Sequence, residues 1–286
     1  MARTILVTGA TGTVGSGVLR GLAGRTDVHV RAAVRDKEKS AALAGPNVEL
    51  VWFDYTKPET LGTASRSADG VFMVPPFSPD GVAESLEFLA AASASGVKHV
   101  VKLSVIRSLG ETTVRKWHAA IDDALKKSGM AWTILLPGGF MQNFVENSAP
   151  QADGNLYLPV GNAKSAYIDT RDMAAVAVKA LTEPGHEGKE YTLTGAEDLS
   201  FSEMAAIMSE ASGRQIRYVD VPPEVARQAM LSEHVPEWLV DILLEIHAWT
   251  KASQGGEITT TVQDVLGRPP RTFREFARDY ASQWKV

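Results

Sequence analysis

The chain of 286 residues contains no cysteine. That excludes disulfides, thiolate metal sites and a cysteine nucleophile. It also lacks a basic excess: 29 Lys and Arg stand against 34 Asp and Glu, for a net charge of -5. Without surplus positive charge to neutralise phosphates, a nucleic acid partner is not expected. No apolar run approaches the roughly 20 residues that a membrane span needs, so no membrane partner is expected. The first residues run almost directly into the strand-like segment RTILVT, with no apolar stretch ending in a small-residue cleavage site. No signal peptide is therefore expected, and the protein is read as cytoplasmic. No pair of histidines has metal-ligand spacing, so no metal is expected.

What is present is an ordinary globular composition, with 44% hydrophobic and 22% charged residues. The first half alternates short apolar, β-branched runs with helix-like stretches. Strands are expected at 3–8, 28–34, 48–53, 70–74, 98–103 and 131–136, and helices at 13–23, 82–95 and 114–128. Strands that read as continuous apolar runs are buried on both faces. Their alternation with helices implies an α/β fold, a Rossmann-type doubly wound parallel sheet. Ligands then sit beyond the carboxyl ends of the strands. The second half is less regular, with short strands expected at 165–169, 189–193 and 216–219 and helices at 170–181, 202–211, 222–231, 236–249 and 272–284. It is read as a smaller α/β C-terminal substrate region. The expected division is 1–150 for the nucleotide domain and 151–286 for the substrate region, interleaved with the first. A flexible loop is expected over 253–256.

The first strand leads into TILVTGATGTVGSG, with glycines at Gly9, Gly12 and Gly15. Gly9 allows a sharp exit from the strand, Gly12 lets backbone N–H groups approach a pyrophosphate, and Gly15 allows close helix–strand packing. The helix that follows offers N–H groups and a positive dipole end. The second strand ends HVRAAVRD. Arg35 stands where a NAD-binding chain would carry an acid for the ribose 2′-OH, and a guanidinium there suits a 2′-phosphate. NADP(H) is therefore the preferred cofactor. NAD(H), held by the neighbouring Asp36, is the alternative.

These residues resemble the atypical short-chain dehydrogenase/reductase superfamily, in its NmrA-like branch of NAD(P)H-binding proteins. The resemblance is carried by TGATGTVG at 8–15, WTILLPGGFMQN at 132–143, YIDTRDMAAVAVKAL at 167–181 and YTLTGAEDLSFSEMAAIMSEASGR at 191–214. The branch includes bacterial quinone, azo-dye and triphenylmethane-dye reductases. By this resemblance Thr11, Gly12, Thr13 and Val14 face the pyrophosphate and Asp54 lies near adenine. Val74, Pro75 and Pro76 flank the ribose and nicotinamide. Ser104 closes the fifth strand. Pro137, Gly138 and Gly139 offer backbone to the carboxamide, and Phe140, Met141 and Asn143 shape the substrate pocket. Apart from the resemblance, Phe77 and Trp117 are aromatic candidates to stack on a substrate.

One hallmark of the wider superfamily is missing. None of the six tyrosines has a lysine four positions later. Reduction of a simple ketone would then form a basic alkoxide without a strong acid to protonate it. Hydride transfer is easier to an acceptor whose reduced form is already stable, such as a quinone, an azo or triphenylmethane dye, or an iminium ion. The expected function is an NADPH-dependent reductase of a conjugated or cationic acceptor. His118, in RKWHAAIDDAL, is the best residual candidate for proton handling, with Ser104 as its catalytic companion. Asp169 is read as a helix cap ahead of Thr170. The competing reading is a non-catalytic NADP(H)-sensing regulatory protein. The chain is expected to act as a monomer or a homodimer on a small aromatic or conjugated molecule.

Overall fold

The computed structural model describes residues 2–253 and 255–285. In chain order the elements are β1 (Arg3–Val7), α1 (Thr13–Leu22), β2 (Val28–Val34), β3 (Val48–Trp52), α2 (Pro58–Ser65), β4 (Gly70–Met73), α3 (Gly81–Ala94), β5 (His99–Leu103), α4 (Thr113–Lys127) and β6 (Ala131–Pro137). Then come β7 (Asn155–Leu158), β8 (Lys164–Ser165), α5 (Thr170–Thr182), β9 (Lys189–Leu193), β10 (Leu199–Ser200), α6 (Phe201–Ser212) and β11 (Arg217–Asp220). The chain closes with α7 (Pro223–Ser232), α8 (Glu237–Ala252), α9 (Thr261–Leu266) and α10 (Phe273–Tyr280). These elements form two compact units.

The first unit comprises residues 1–105, 116–136 and 170–192. Its sheet has the order β3-β2-β1-β4-β5-β6-β9. Every pairing from β3 through to β6 is parallel. This is a Rossmann-type α/β fold, with the strand order reversing direction at β1. The apolar stretches of the central strands are buried, as expected for a parallel sheet covered on both faces: Ile5, Leu6, Val71, Phe72, Val100 and Val101 have no exposed surface. The edge strand β9 (KEYTL) is more polar and only partly buried, which suits a strand paired on one side. α5 packs on α1 because α1 presents glycines to it. A Cβ on Gly17 would come within 2.9 Å of the Ala174 Cβ, and one on Gly21 within 2.8 Å of the Val178 side chain.

The second unit comprises residues 106–115, 137–169 and 193–286. Its core gathers Phe144, Leu156, Val160, Phe201, Met204, Met208, Phe273, Phe276 and Trp284. Two helices that feed this core start with matching devices. Ser200 and Glu203 form a capping box on α6, and Thr272 and Glu275 form another on α10. The Trp284 indole donates to the Phe144 carbonyl at 2.9 Å, so the end of the chain is tied into this core. β7 pairs in parallel with β11, and β8 antiparallel with β10.

Three differences from the sequence-based boundaries have local causes. The strand expected over 165–169 shrinks to Lys164–Ser165, because the chain after it pairs instead as a single bridge, Phe140 with Ile168. β7 and α9 were not anticipated; they are 4 and 6 residues long, too short for their periodicity to show. The helix expected over 272–284 ends at Tyr280 and continues as a 3-10 turn through Trp284. In the loop expected over 253–256, Gln254 lies outside the described residues.

Candidate functional site

The glycine turn sits at the carboxyl end of β1. Gly9 has φ of +61°, a conformation that L side chains rarely adopt. The Gly12 N–H donates to the Gly9 carbonyl at 2.9 Å, closing the turn. A Cβ on Gly15 would lie 2.1 Å from the Gly9 carbonyl oxygen, so α1 can seat this close only with glycine there. Gly9, Thr11 and Gly12 are exposed, Thr13 is half-buried, and Val14 turns its side chain into the core at 5% exposure. Any contact Val14 makes with a phosphate is therefore through its backbone. The N-cap of α1 is Gly12, which has no side chain to cap it, and the first turn holds no acid. This fits a dinucleotide: the helix start is positive, exposed and approachable by a pyrophosphate.

The residues expected on the nucleotide side have distinct environments. Asp36 is engaged by its own turn: its Oδ1 accepts from the backbone N–H groups of Glu38 and Lys39 at 3.0 and 3.1 Å, and its Oδ2 lies 3.5 Å from the Lys39 ammonium. Arg35, exposed one residue earlier, makes no hydrogen bond or ion pair among the described residues. That geometry favours a 2′-phosphate over a 2′-hydroxyl at this corner. The Asp54 carboxylate accepts from the Thr56 N–H and hydroxyl at 3.0 and 2.9 Å, bending the loop ahead of α2. Val74, Pro75 and Pro76 continue β4, half-buried.

Two residues that sequence reasoning did not single out position that segment. Thr8, wholly buried, donates to the Phe72 carbonyl at 3.2 Å and accepts from the Val74 N–H at 2.8 Å. The Tyr55 hydroxyl donates to the Val74 carbonyl at 3.0 Å, and burial raises its pKa. Its ring packs edge-on against Phe53 and Phe88. Together they clamp the carboxyl ends of β1 and β4. Just beyond, Phe77, which is 47% exposed, and Trp117 meet edge-to-face with centroids 6.1 Å apart. Two of the expected pocket residues are thus brought together as an aromatic pair.

The carboxyl end of β5 holds a buried polar cluster. Lys102 has no exposed surface. Its ammonium lies 2.7 Å from Asp122 Oδ1, 3.2 Å from His118 Nδ1 and 3.3 Å from the Leu103 carbonyl. Ser104, 1% exposed, donates to Asp122 Oδ2 at 2.8 Å. His118 and Asp122 are four residues apart on α4 and so share a face. The two expected catalytic residues, His118 and Ser104, therefore join one network, through partners the sequence reading passed over. A signal existed: β5 reads HVVKL, a buried run interrupted by a charge, and a buried lysine calls for an acid.

In the second unit, the segment after β6 is held by backbone pairing. The Gly138 N–H donates to the Leu193 carbonyl at 3.0 Å, the Gly139 carbonyl accepts from Ile168 at 2.8 Å, and the Met141 N–H donates to the Ile168 carbonyl at 2.9 Å. Pro137 is buried, while Gly138 and Phe140 are half-buried. Met141 is 2% exposed and packs in the core with Phe144. Half-buried Asn143 turns the chain, its carbonyl accepting from Ser148 at 2.7 Å. Asp169, wholly buried, accepts from the Gln142 amide at 2.9 Å. No cluster of three potential metal ligands occurs among the described residues, and no helix there is long and apolar enough to cross a membrane.

Comparison with known proteins places this geometry in a family. The chain matches the NmrA-like family over residues 1–277 and belongs to it. It is 41% identical to an NAD(P)H azoreductase of Xenophilus azovorans, over 97% of this chain and 98% of that one. It is 34% identical to the (4-alkanoyl-5-oxo-2,5-dihydrofuran-3-yl)methyl phosphate reductase of Streptomyces griseus, over 97% and 98%. The fold matches the crystal structure of Citrobacter sp. triphenylmethane reductase complexed with NADP(H), with a TM-score of 0.84 and 24% identity over 98% of this chain and all of that one.

Proposed function

We propose that this NAD(P)H-dependent oxidoreductase uses NADPH to reduce a conjugated or cationic acceptor such as a quinone, an azo or triphenylmethane dye, or an iminium ion. The acceptor class rests on one observation: none of the six tyrosines has a lysine four positions later, and near the place on α4 where that tyrosine is expected the chain has Trp117. The relatives agree in kind. One is named for azo compounds, the other for a dihydrofuranone bearing an alkanoyl arm, and both substrates are conjugated electrophiles.

When bound, NADPH supplies a hydride, that is two electrons and one hydrogen nucleus, and becomes NADP+. The chain's own residues do the rest. Gly12 and Thr13 present backbone to the pyrophosphate, and Arg35 meets the 2′-phosphate. Val74 to Pro76 border the nicotinamide. Phe77 and Trp117 form an aromatic wall for the flat acceptor, whose positioning lowers the entropic part of the barrier. A quinone that gains a hydride becomes a hydroquinone anion, which takes one proton from solvent. An iminium ion or cationic dye gains the hydride and is already neutral. Neither case needs an acid strong enough to protonate an alkoxide.

The test is to follow NADPH oxidation by the full chain against a naphthoquinone, an azo dye, a triphenylmethane dye, a cyclic iminium ion and an aliphatic ketone. Turnover with any of the first four, faster than with NADH, supports the reading. Turnover with the ketone alone overturns it. NADPH binding with no turnover on any acceptor favours a nucleotide-sensing protein instead.

A further inference from the structure

We infer that Tyr55, in the loop between β3 and α2, is a positioning residue for the half of the cofactor that lies over β4, and that it acts through Val74 without touching the ligand. The inference rests on the nucleotide reading above; the hydrogen bonds that carry it belong to the protein alone.

The sheet order assigns the two halves. In a fold of this type the pyrophosphate belongs at the glycine turn after β1, and the adenosine ribose at the end of β2. With the order β3-β2-β1-β4, the other half extends over β4. β4 ends at Met73, and the chain continues as Val74, Pro75 and Pro76. Neither proline has a backbone N–H, so Val74 carries the only main-chain donor of this short arm. Each proline fixes its own φ and holds the residue before it in extended backbone. The arm is therefore stiff, and its direction is set where it starts, at Val74.

Val74 is held on three sides. Its N–H donates to the Thr8 hydroxyl at 2.8 Å, and its carbonyl accepts from the Tyr55 hydroxyl at 3.0 Å. The Thr8 hydroxyl has one proton to give. It lies 3.2 Å from the Phe72 carbonyl and 3.5 Å from that of Val74, so Tyr55 is the nearer donor to Val74. A Cβ on Gly9 would come within 3.1 Å of the Val74 Cβ, which shows that the valine side chain rests against the glycine turn. The far end of the arm is seated as closely: a Cβ on Gly81 would lie 2.3 Å from the Pro76 carbonyl oxygen. The Tyr55 ring is gripped edge-on by Phe53 and Phe88, with centroids 4.8 and 5.5 Å away. Burial raises its pKa, so the phenol keeps its proton and remains a donor.

Neighbouring residues thereby serve opposite ends of one ligand. Asp54 is the residue expected near adenine, and its carboxylate shapes its own loop through Thr56. Tyr55, next in the chain, reaches across to the arm after β4. A direct contact of Tyr55 with adenosine would affect binding of the adenosine half. Action through Val74 affects only the other half.

The experiment is calorimetric titration of the full chain with NADPH and with adenosine 2′,5′-bisphosphate, which keeps the adenosine half and lacks the nicotinamide half. Tyr55→Phe keeps the ring and removes the hydroxyl. With its fold confirmed by circular dichroism, it should bind NADPH about three- to tenfold more weakly, the loss expected for one neutral hydrogen bond, and the bisphosphate within twofold of wild type. A general loss of structure would weaken both ligands. Equal weakening of both, or unchanged NADPH binding, overturns the inference. Pro75→Ala gives a second test that leaves the aromatic packing alone: it frees the arm and should show the same split. In the double variant the two losses should combine to less than their product, because a freed arm no longer transmits the Tyr55 bond. Full multiplication of the two overturns the route through Val74. Wild-type protein that binds both ligands, with no split in either variant, sinks this inference alone. Wild-type protein that binds neither overturns the nucleotide reading and this inference with it.

Discussion

At the scale of single residues, the proposed preference for NADPH turns on the corner after β2. Asp36 is engaged by two backbone N–H groups and Lys39, which leaves Arg35 as the group able to meet a 2′-phosphate. Arg35→Glu should raise KM for NADPH by roughly 10- to 100-fold, the equivalent of one charged hydrogen bond, and change KM for NADH only a few-fold. Parallel steady-state kinetics with both cofactors measures this, and equal effects on the two would remove Arg35 from the 2′-phosphate site. Trp117 carries a second prediction. Its edge contact with Phe77 makes an aromatic wall, so Trp117→Ala should raise KM for a naphthoquinone by roughly three- to tenfold. NADPH affinity, read by fluorescence titration, should stay within twofold.

At the scale of elements, the site depends on how closely α1 seats on its turn and how β1 and β4 are clamped. Gly15→Ala puts a methyl group 2.1 Å from the Gly9 carbonyl. The backbone must shift, at a cost of about 1–3 kcal/mol for overpacking of this kind. NADPH binding should weaken along with stability, as calorimetry and denaturant titration would show; unaltered binding would mean that the turn is not the phosphate cradle. Thr8→Val leaves the clamp's shape but removes its hydroxyl. The Val74 N–H then loses its partner, and an unsatisfied buried donor costs about 1–3 kcal/mol. Denaturant midpoints should fall accordingly. KM for NADPH should rise, because Val74 to Pro76 borders the nicotinamide in the proposed arrangement.

At the scale of the whole molecule, buried histidines tie stability to pH. His247 lines a cavity of about 250 Å3 in the second unit with Pro159, Pro223, Leu244 and Lys251. Its Nδ1 is buried without a hydrogen-bond partner, and burial lowers its pKa from the usual 6.5 to about 4. His99, 2% exposed at the opposite end of β5 from the Lys102 cluster, is lowered to about 4 for the same reason. Its Nε2 lies 2.9 Å from the Thr133 hydroxyl, but its Nδ1 lacks a partner too. The unfolded chain binds these protons at a higher pH than the folded one does. Stability is therefore complete above about pH 6.5 and declines as pH falls toward 4. Tm measured from pH 8 to pH 4.5 should drop most steeply below pH 6.5. In His247→Leu, which removes the unsatisfied nitrogen, that drop should be shallower. An identical pH slope in the variant would show that His247 titrates normally.

The sequence by itself determined the architecture and the glycine turn after β1. Hydrophobic period and glycine spacing are local properties, set by what a buried parallel strand and a sharp strand-to-helix turn require. They located β1 through β6 to within a residue or two and put Gly9, Gly12 and Gly15 where β1 turns into α1. It also marked His118 and Ser104, because of where they fall after the fifth strand. The tertiary structure alone decided what those residues can do. Lys102, Ser104, His118 and Asp122 lie up to 20 positions apart, and only the packing of α4 against β5 brings them into one cluster. Likewise, Thr8, Tyr55 and Val74 meet only when β4 lies beside β1. Proton positions and hydrogen-bond polarity depend on contacts between segments far apart in the chain, and no local periodicity encodes them.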